Sequence, residues 1–239
     1  MYLDVFLTRH DLAESAYDLR GATVVVIDVL RASSTLAQAL SSGAEEIHIA
    51  GSIEEANKLK EKFPDAVLCG EREGLIIPGF DFGNSPLDYT FENVLGKKLI
   101  FASTNGSLTL LACRGADEVL IGGFVNMLAS IEELVHSEKV ALVCSGKLGR
   151  FSIEDAVCAG MIIDRLSEKG LKITLQSDSA WTAFWLFERF ISNPEEMLSK
   201  AEHPVYLAQD LGFIEDVAFC TRIGCLNVVP RYSNGVVTL

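Results

Sequence analysis

Long apolar runs are missing from this sequence. None approaches the ~20 residues that a bilayer-spanning helix needs, although 49% of the chain is hydrophobic. The opening stretch from Met1 to His10 sets Asp4 among apolar residues and has no basic lead-in. It therefore does not read as a secretory signal, and the cytoplasm is the expected compartment. Positive charge is scarce as well: 20 Lys and Arg face 33 Asp and Glu, a formal charge of −13. That balance argues against DNA, RNA or an anionic membrane as the main partner. The 6 cysteines include no C-x-x-C pair and no His at zinc spacing, so reduced, mostly buried thiols are expected rather than a structural zinc. The 4 histidines (His10, His48, His136, His203) stand singly, each read as a surface or core residue rather than a ligand. Asp28 lies in no D-x-D motif, which leaves the aspartyl-phosphate phosphatases built on that motif unsupported. An anion site in so acidic a chain must draw on backbone amides, hydroxyls, one or two Arg and a metal.

What is present is an alternation of β-rich and helical patterns over 239 residues, enough for one α/β domain spanning the whole chain. Strands are expected at Leu3–Leu7, Thr23–Ile27, Glu46–Ala50, Ala66–Cys69, Lys98–Ala102, Glu118–Ile121, Lys139–Cys144 and Lys172–Leu175. Helical periodicity covers Ser34–Ser42, Ile53–Lys62, Leu108–Arg114, Asn126–His136, Ile153–Lys169 and Ala180–Phe190. A hairpin around Ser233-Asn234-Gly235 closes the chain. The expected class is three-layer α/β/α with a mostly parallel or mixed sheet. Residues 24–51 align without gaps on 96–123, with Gly43-Ala44-x-Glu46 on Gly115-Ala116-x-Glu118, which reads as a duplicated βαβ unit. In that alignment Ser33-Ser34-Thr35 falls on Asn105-Gly106-Ser107. Both turns sit where a strand gives way to a helix, the carboxyl edge at which parallel sheets bind ligands. A third such turn is Ser145–Ser152, and the three are expected around one pocket.

Four segments carry candidate chemistry. Asp28-Val-Leu-Arg31 leads into the hydroxyls of Ser33, Ser34 and Thr35 at a helix start, where free amides attract anions. The same residues also read as plain helix capping with an Asp28–Arg31 ion pair. Thr104-Asn105-Gly106-Ser107 repeats the pattern, with Gly106 permitting close approach of a ligand. The loop from Gly70 through Glu71, Arg72 and Glu73 to Asp81, Asn84 and Ser85 mixes carboxylates with an Arg whose fork suits phosphate or sulfonate; a salt-bridged surface loop is its plainer reading. Glu154 and Asp155 open a helix behind Ser152, a capping arrangement that also suits Mg²⁺, which takes one or two carboxylates and keeps several waters. Cys144 and Arg150 show the spacing of a cysteine-dependent phosphatase, but Val143 and Phe151 replace its usual flanking residues. A non-catalytic small-anion sensor is a further alternative.

In order along the chain, Ile27–Thr35, Gly70–Gly74, Gly79–Pro86, Ser103–Ser107 and Phe151–Gly160 resemble the 2-phosphosulfolactate phosphatases of coenzyme M biosynthesis, and Asp216, Cys220 and Pro230 continue the pattern. Ser103 and Ser107 stand where many members would carry Thr. The resemblance implies a Mg²⁺-dependent phosphoric monoester hydrolase that converts 2-phospho-3-sulfolactate to 3-sulfolactate and phosphate. Carried onto this chain, it implies a site of Asp28, Arg31, Ser33, Ser34, Glu71, Arg72, Asp81, Asn84, Ser85, Thr104, Asn105, Gly106, Glu154 and Asp155, to which Thr35 and Ser107 are added from the two turns. Asp28, with Glu154 or Asp155, would hold the metal; Arg31 and the two turns would hold the developing charge; Arg72, Asn84 and Ser85 would hold the distal anions. Asp28 as a covalent nucleophile is the competing role. The partner is a small phosphorylated acid, with room for a homodimer.

Overall fold

A computed structural model describes residues 1–239. The chain runs β1 (Tyr2–Phe6), α1 (Arg9–Glu14), β2 (Thr23–Ile27), α2 (Ala32–Ser41), β3 (Glu46–Ile49), α3 (Ile53–Lys62), β4 (Val67–Arg72) and β5 (Leu75–Ile76). It continues through α4 (Phe91–Val94), β6 (Lys98–Ala102), α5 (Gly106–Ala112), β7 (Glu118–Gly122), α6 (Met127–Leu134), β8 (Lys139–Cys144) and α7 (Ile153–Glu168). The last part holds β9 (Thr174–Leu175), α8 (Asp178–Phe190), α9 (Pro194–Lys200), α10 (Glu202–Val205), α11 (Ile214–Cys220), β10 (Arg231–Ser233) and β11 (Val236–Thr238).

The inner strands are short β-branched runs, such as Thr-Val-Val-Val-Ile in β2, that suit a sheet buried on both faces. Alternation along them divides the interior. Val25 and Ile27 of β2 and Leu142 and Cys144 of β8 join one core with α6, α7, α8 and α11. Val24 and Val26, with Ala141 and Val143, join the opposite core with α1, α2 and α5. The result is three layers, as expected. The segment from 194 to 220, for which no element was expected, supplies three more helices, and α1 is likewise additional.

The sheet order is β5-β4-β6-β3-β11-β10-β7-β2-β8-β1-β9. The strands from β7 to β9 are mutually parallel, and so are β4, β6 and β3. The C-terminal hairpin joins the two groups by antiparallel ladders, β11 to β3 and β10 to β7, which makes the groups run in opposite directions. The hairpin is thus the centre of the sheet rather than an appendage.

Exchanging β2 with β6, β3 with β7, β4 with β8 and β10 with β11 gives the same order of central strands read from the opposite edge of the sheet. This is compatible with the repeat seen in the sequence but moves its register. Asp28 N donates to Ser33 Oγ at 2.9 Å, and Ser103 N donates to Ser107 Oγ at 2.9 Å. Thr35 N bonds Arg31 O, and Thr109 N bonds Asn105 O. Ser33 therefore corresponds to Ser107 and Arg31 to Asn105, two positions away from the gapless alignment. The cause is helix length: α2 has 10 residues and α5 has 7, so one gapless spacing cannot fit both sides of the helix.

Candidate active site

The loops after β2 and β8 meet those after β4 and β6. At their junction the first turns of α2 and α5 touch. A Cβ on Gly106 would lie 2.5 Å from Ala32 Cβ and 2.7 Å from Asp28 Oδ2, so only glycine allows this approach. Gly70, at φ +148°, brings β4 equally close to β6, where a Cβ would lie 2.0 Å from Ala102 O.

Two buried carboxylates pin the junction. Glu71 Oε1 accepts from Thr104 N at 2.7 Å, and Oε2 accepts from Gly74 N at 2.8 Å. Asp155 Oδ1 accepts from Val29 N at 2.8 Å, and Oδ2 accepts from Gly146 N at 3.0 Å. Burial holds the Asp155 carboxyl well above the ordinary range, with Glu154 and Asp28 adding to the rise.

Between the loops lies a cavity of about 340 Å³. Asp28, Glu71, Glu73 and Glu202 line it with Arg31, Lys147 and His203, and Asn84, Thr104, Asn105 and Tyr206 complete its polar wall. Asp28 Oδ1 accepts from Ala32 N at 3.1 Å, while Oδ2 takes no hydrogen bond. Burial raises the Asp28 pKa to about 6; His203 and the Ala32 amide oppose the rise, and Glu71 and Glu154 add to it.

Arg31 does not pair with Asp28. Its guanidinium donates to Asp216 Oδ2 and to Gly74 O, each at 2.5 Å, and stacks 4.3 Å from the centre of the Phe213 ring. Ser85 Oγ donates to the other Asp216 oxygen at 2.7 Å. Asn105 Oδ1 accepts from Leu148 N at 3.3 Å, which ties the third turn to the second. His203 Nδ1 lies 3.0 Å from Glu154 Oε1, and Glu154 Oε2 is buried without a partner.

Of the expected residues, the structure brings Asp28, Arg31, Glu71, Asn84, Thr104 and Asn105 to the cavity. The hydroxyls expected to bind substrate are turned inward. Ser33 Oγ accepts from Asp28 N and donates to Val26 O, Ser34 Oγ donates to Val29 O, and Thr35 Oγ1 donates to Asn84 O. Ser107 Oγ is likewise bound to Ser103. These groups hold the turns rather than face the cavity. Gly106 acts by its smallness, and Ser85 acts through Asp216. Asp81 accepts from Leu68 N at 2.9 Å and fixes its loop to β4. Arg72 donates to Glu71 O at 2.7 Å and to Ala102 O at 3.3 Å, away from the cavity. Cys144 has no exposed surface, and burial pushes its thiol well above 9, which leaves no thiolate for a cysteine mechanism with Arg150. His203, Tyr206, Glu202 and Lys147 went unassigned in the sequence. Only Lys147 carried a signal there, as part of the third turn.

No group of three or more His, Cys, Asp or Glu is close enough to hold a metal ion unaided. Mg²⁺ does not need one, since one or two carboxylates, waters and substrate phosphate suffice. Asp28 Oδ2 takes no hydrogen bond, Asn84 Oδ1 is buried without a partner, and both residues line the cavity, so each offers an oxygen of the kind a hard cation takes. Asp155 is not among the residues that line the cavity, and each of its oxygens already accepts a backbone amide. Glu154 lies in an adjoining cleft and is engaged by His203.

A charged cavity where the ends of oppositely directed strand groups meet describes an α/β enzyme acting on small polar molecules. The profile of the 2-phosphosulpholactate phosphatase family matches residues 7–235, and the chain belongs to this family. A protein of Carboxydothermus hydrogenoformans described as "Probable 2-phosphosulfolactate phosphatase" is 44% identical over 209 residues, 87% of this chain and 85% of its own length. One of Thermotoga petrophila with the same description is 40% identical over 217 residues, covering 91% and 92%. A third, from Caldanaerobacter subterraneus, is 35% identical over 240 residues, covering 99% and 98%. The family is one of phosphoric monoester hydrolases. No helix is long and apolar enough to cross a membrane.

Proposed function

We propose that the chain hydrolyses 2-phospho-3-sulfolactate to 3-sulfolactate and phosphate in this cavity, with Mg²⁺ held by Asp28 and Asn84. The observation that carries the reading is the cavity's charge. Four carboxylates line it against Arg31, Lys147 and His203, and a polyanionic phosphate ester needs further positive charge to enter. A site for a simple anion sensor would instead present cations. Bound there, the ion would neutralise charge on the phosphoryl oxygens and make a nearby water more acidic.

The chain's own groups would do the rest. Asn105, whose Oδ1 is anchored on Leu148 N, offers its amide hydrogens to a phosphoryl oxygen. Glu71 holds the Thr104 and Gly74 backbones in register, so the wall does not have to reorganise as charge develops. Arg31 keeps positive potential beside the phosphate while its fork is held by Asp216. The departing group is a secondary alkoxide, which must take up a proton. His203, oriented through Nδ1 by Glu154, supplies it from Nε2. Water attacks phosphorus, the ester P–O bond breaks, and the His203 proton leaves on the product hydroxyl. One of the water's two protons returns to His203 through solvent, while the other stays on the released hydrogen phosphate.

A phosphate-release screen over small phosphorylated acids tests this reading. The expected result is release from 2-phospho-3-sulfolactate in Mg²⁺ and none in EDTA. Turnover of none of these esters under any metal condition would refute it.

A further inference from the structure

We propose that Lys147 reads a second acid group on the substrate and thereby makes the enzyme selective for phosphate esters that carry a further oxyanion, carboxylate or sulfonate. The inference rests on the phosphatase reading above. It starts from the cavity's cations. Arg31 is 2% exposed and committed to Asp216, Gly74 O and the Phe213 ring, so it cannot turn to a second anion. Arg72, the expected clamp, is spent on the carbonyls of Glu71 and Ala102. His203 faces Glu154 through Nδ1. Lys147 remains.

Its surroundings suit exchange of one anion for another. The ammonium sits 4.2 Å from the centre of the Tyr206 ring and 3.4 Å from Glu202 Oε1. A charge-assisted hydrogen bond is typically about 2.7–2.9 Å, so the Glu202 contact is loose, and the Glu202 side chain is 75% exposed. Such a partner gives way easily to a substrate oxyanion. The Lys147 side chain is itself only 18% exposed, which strengthens any pair it makes.

The backbone beneath it is fixed. Lys147 N donates to Arg150 O at 2.8 Å, and Arg150 N donates to Lys147 O at 3.0 Å. The preceding Gly146 N is bound by Asp155, and the following Leu148 N by Asn105. A cation is thus carried on a tight turn, anchored on one side to a buried carboxylate and on the other to the phosphate-binding Asn105. A lysine on a mobile surface loop would have neither anchor.

The test compares kcat/KM for 2-phospho-3-sulfolactate, 2-phospholactate and isopropyl phosphate, which carry two, one and no further acid groups. In Lys147→Met the preference for 2-phospho-3-sulfolactate over isopropyl phosphate should collapse by about 10- to 100-fold, carried by KM. Lys147→Arg should restore most of it, and Glu202→Gln, which frees the ammonium, should lower KM for the acidic esters. 2-Phospholactate separates the sources: a preference lost equally for both acidic esters assigns the carboxylate, and one lost only for the sulfonated ester assigns the sulfonate. An unchanged preference ratio in Lys147→Met would overturn the proposal. If the wild type hydrolyses none of the esters, the phosphatase reading fails separately. Calorimetric binding of 3-sulfolactate to wild type and Lys147→Met would still decide the role of Lys147, with equal affinities counting against it.

Discussion

Glu71 and Asp155 play the same part on the two arms of the sheet. Glu71, near the end of β4, joins the Gly74 amide of the loop that follows to the Thr104 amide just past β6. Asp155, at the start of α7, joins the Gly146 amide of the loop after β8 to the Val29 amide just past β2. Ile27 and Ala102 close β2 and β6, so Val29 and Thr104 stand at matching positions. The clasps hold four of the loops that line the cavity, while Glu202, His203 and Tyr206 reach it from α10 and the residue after it.

From this follows a contrast between two conservative variants. Glu71→Gln and Asp155→Asn each keep the shape but lose an acceptor, which leaves a buried amide hydrogen unpaired and should cost about 1–3 kcal/mol of stability. Glu71 also lines the cavity, so Glu71→Gln should lower kcat/KM at temperatures where the protein remains folded. Denaturant unfolding with parallel kinetics checks both. Equal stability to wild type in both variants would dismiss the clasp.

The Arg31–Asp216 pair is nearly inaccessible, with side chains 1% and 4% exposed. Asp216→Asn should therefore destabilise by about 3–5 kcal/mol, since it leaves a buried guanidinium uncompensated. The double variant Arg31→Met/Asp216→Asn should recover much of that loss. Chemical denaturation of the three variants gives the coupling, and purely additive losses would contradict a paired interior charge.

Much of the layout was legible because strands and helices announce themselves by period. Asp28, Glu71, Thr104 and Asn105, which line the cavity, could be singled out because they sit where a strand ends. The reversal of strand direction could not, since it depends on the hairpin at Ser233–Val236 inserting between β3 and β7, which are remote from it in sequence. The hydroxyls misled for a physical reason. Ser33, Ser34, Thr35 and Ser107 are the residue types that bind phosphate and also the types that bond neighbouring backbone, and only their partners in space distinguish the two uses. His203 and Asp216 could not be placed beside the cavity from the sequence, because the groups they contact there, Glu154 and Arg31, lie 49 and 185 residues away along the chain.

His203 as proton donor predicts a dependence on the leaving group. His203→Asn should slow hydrolysis of 2-phospho-3-sulfolactate by roughly 10²- to 10⁴-fold. p-Nitrophenyl phosphate, whose phenolate leaves unaided, should slow far less. Equal losses on both esters would assign His203 a structural role.

Asp28 makes stability depend on pH in a definite sense. Its folded pKa of about 6 lies above the ordinary 3.8 because of burial, so between these values the folded state keeps a proton that the unfolded chain has lost. Stability of the metal-free protein should therefore fall as pH rises from about 4 to about 6 and stay low above that. The difference in unfolding free energy between wild type and Asp28→Asn, followed in EDTA from pH 4 to 8, isolates this contribution. A difference that is flat with pH would show an unshifted carboxyl.

The most direct measurement is phosphate release from 2-phospho-3-sulfolactate by wild type and Asp28→Asn, each in Mg²⁺ and in EDTA. Wild type should turn over in Mg²⁺ and stop in EDTA, and Asp28→Asn should lose roughly two orders of magnitude or more in Mg²⁺. Wild-type turnover undiminished in chelator, or Asp28→Asn working at the wild-type rate, would contradict a metal-assisted phosphatase centred on Asp28.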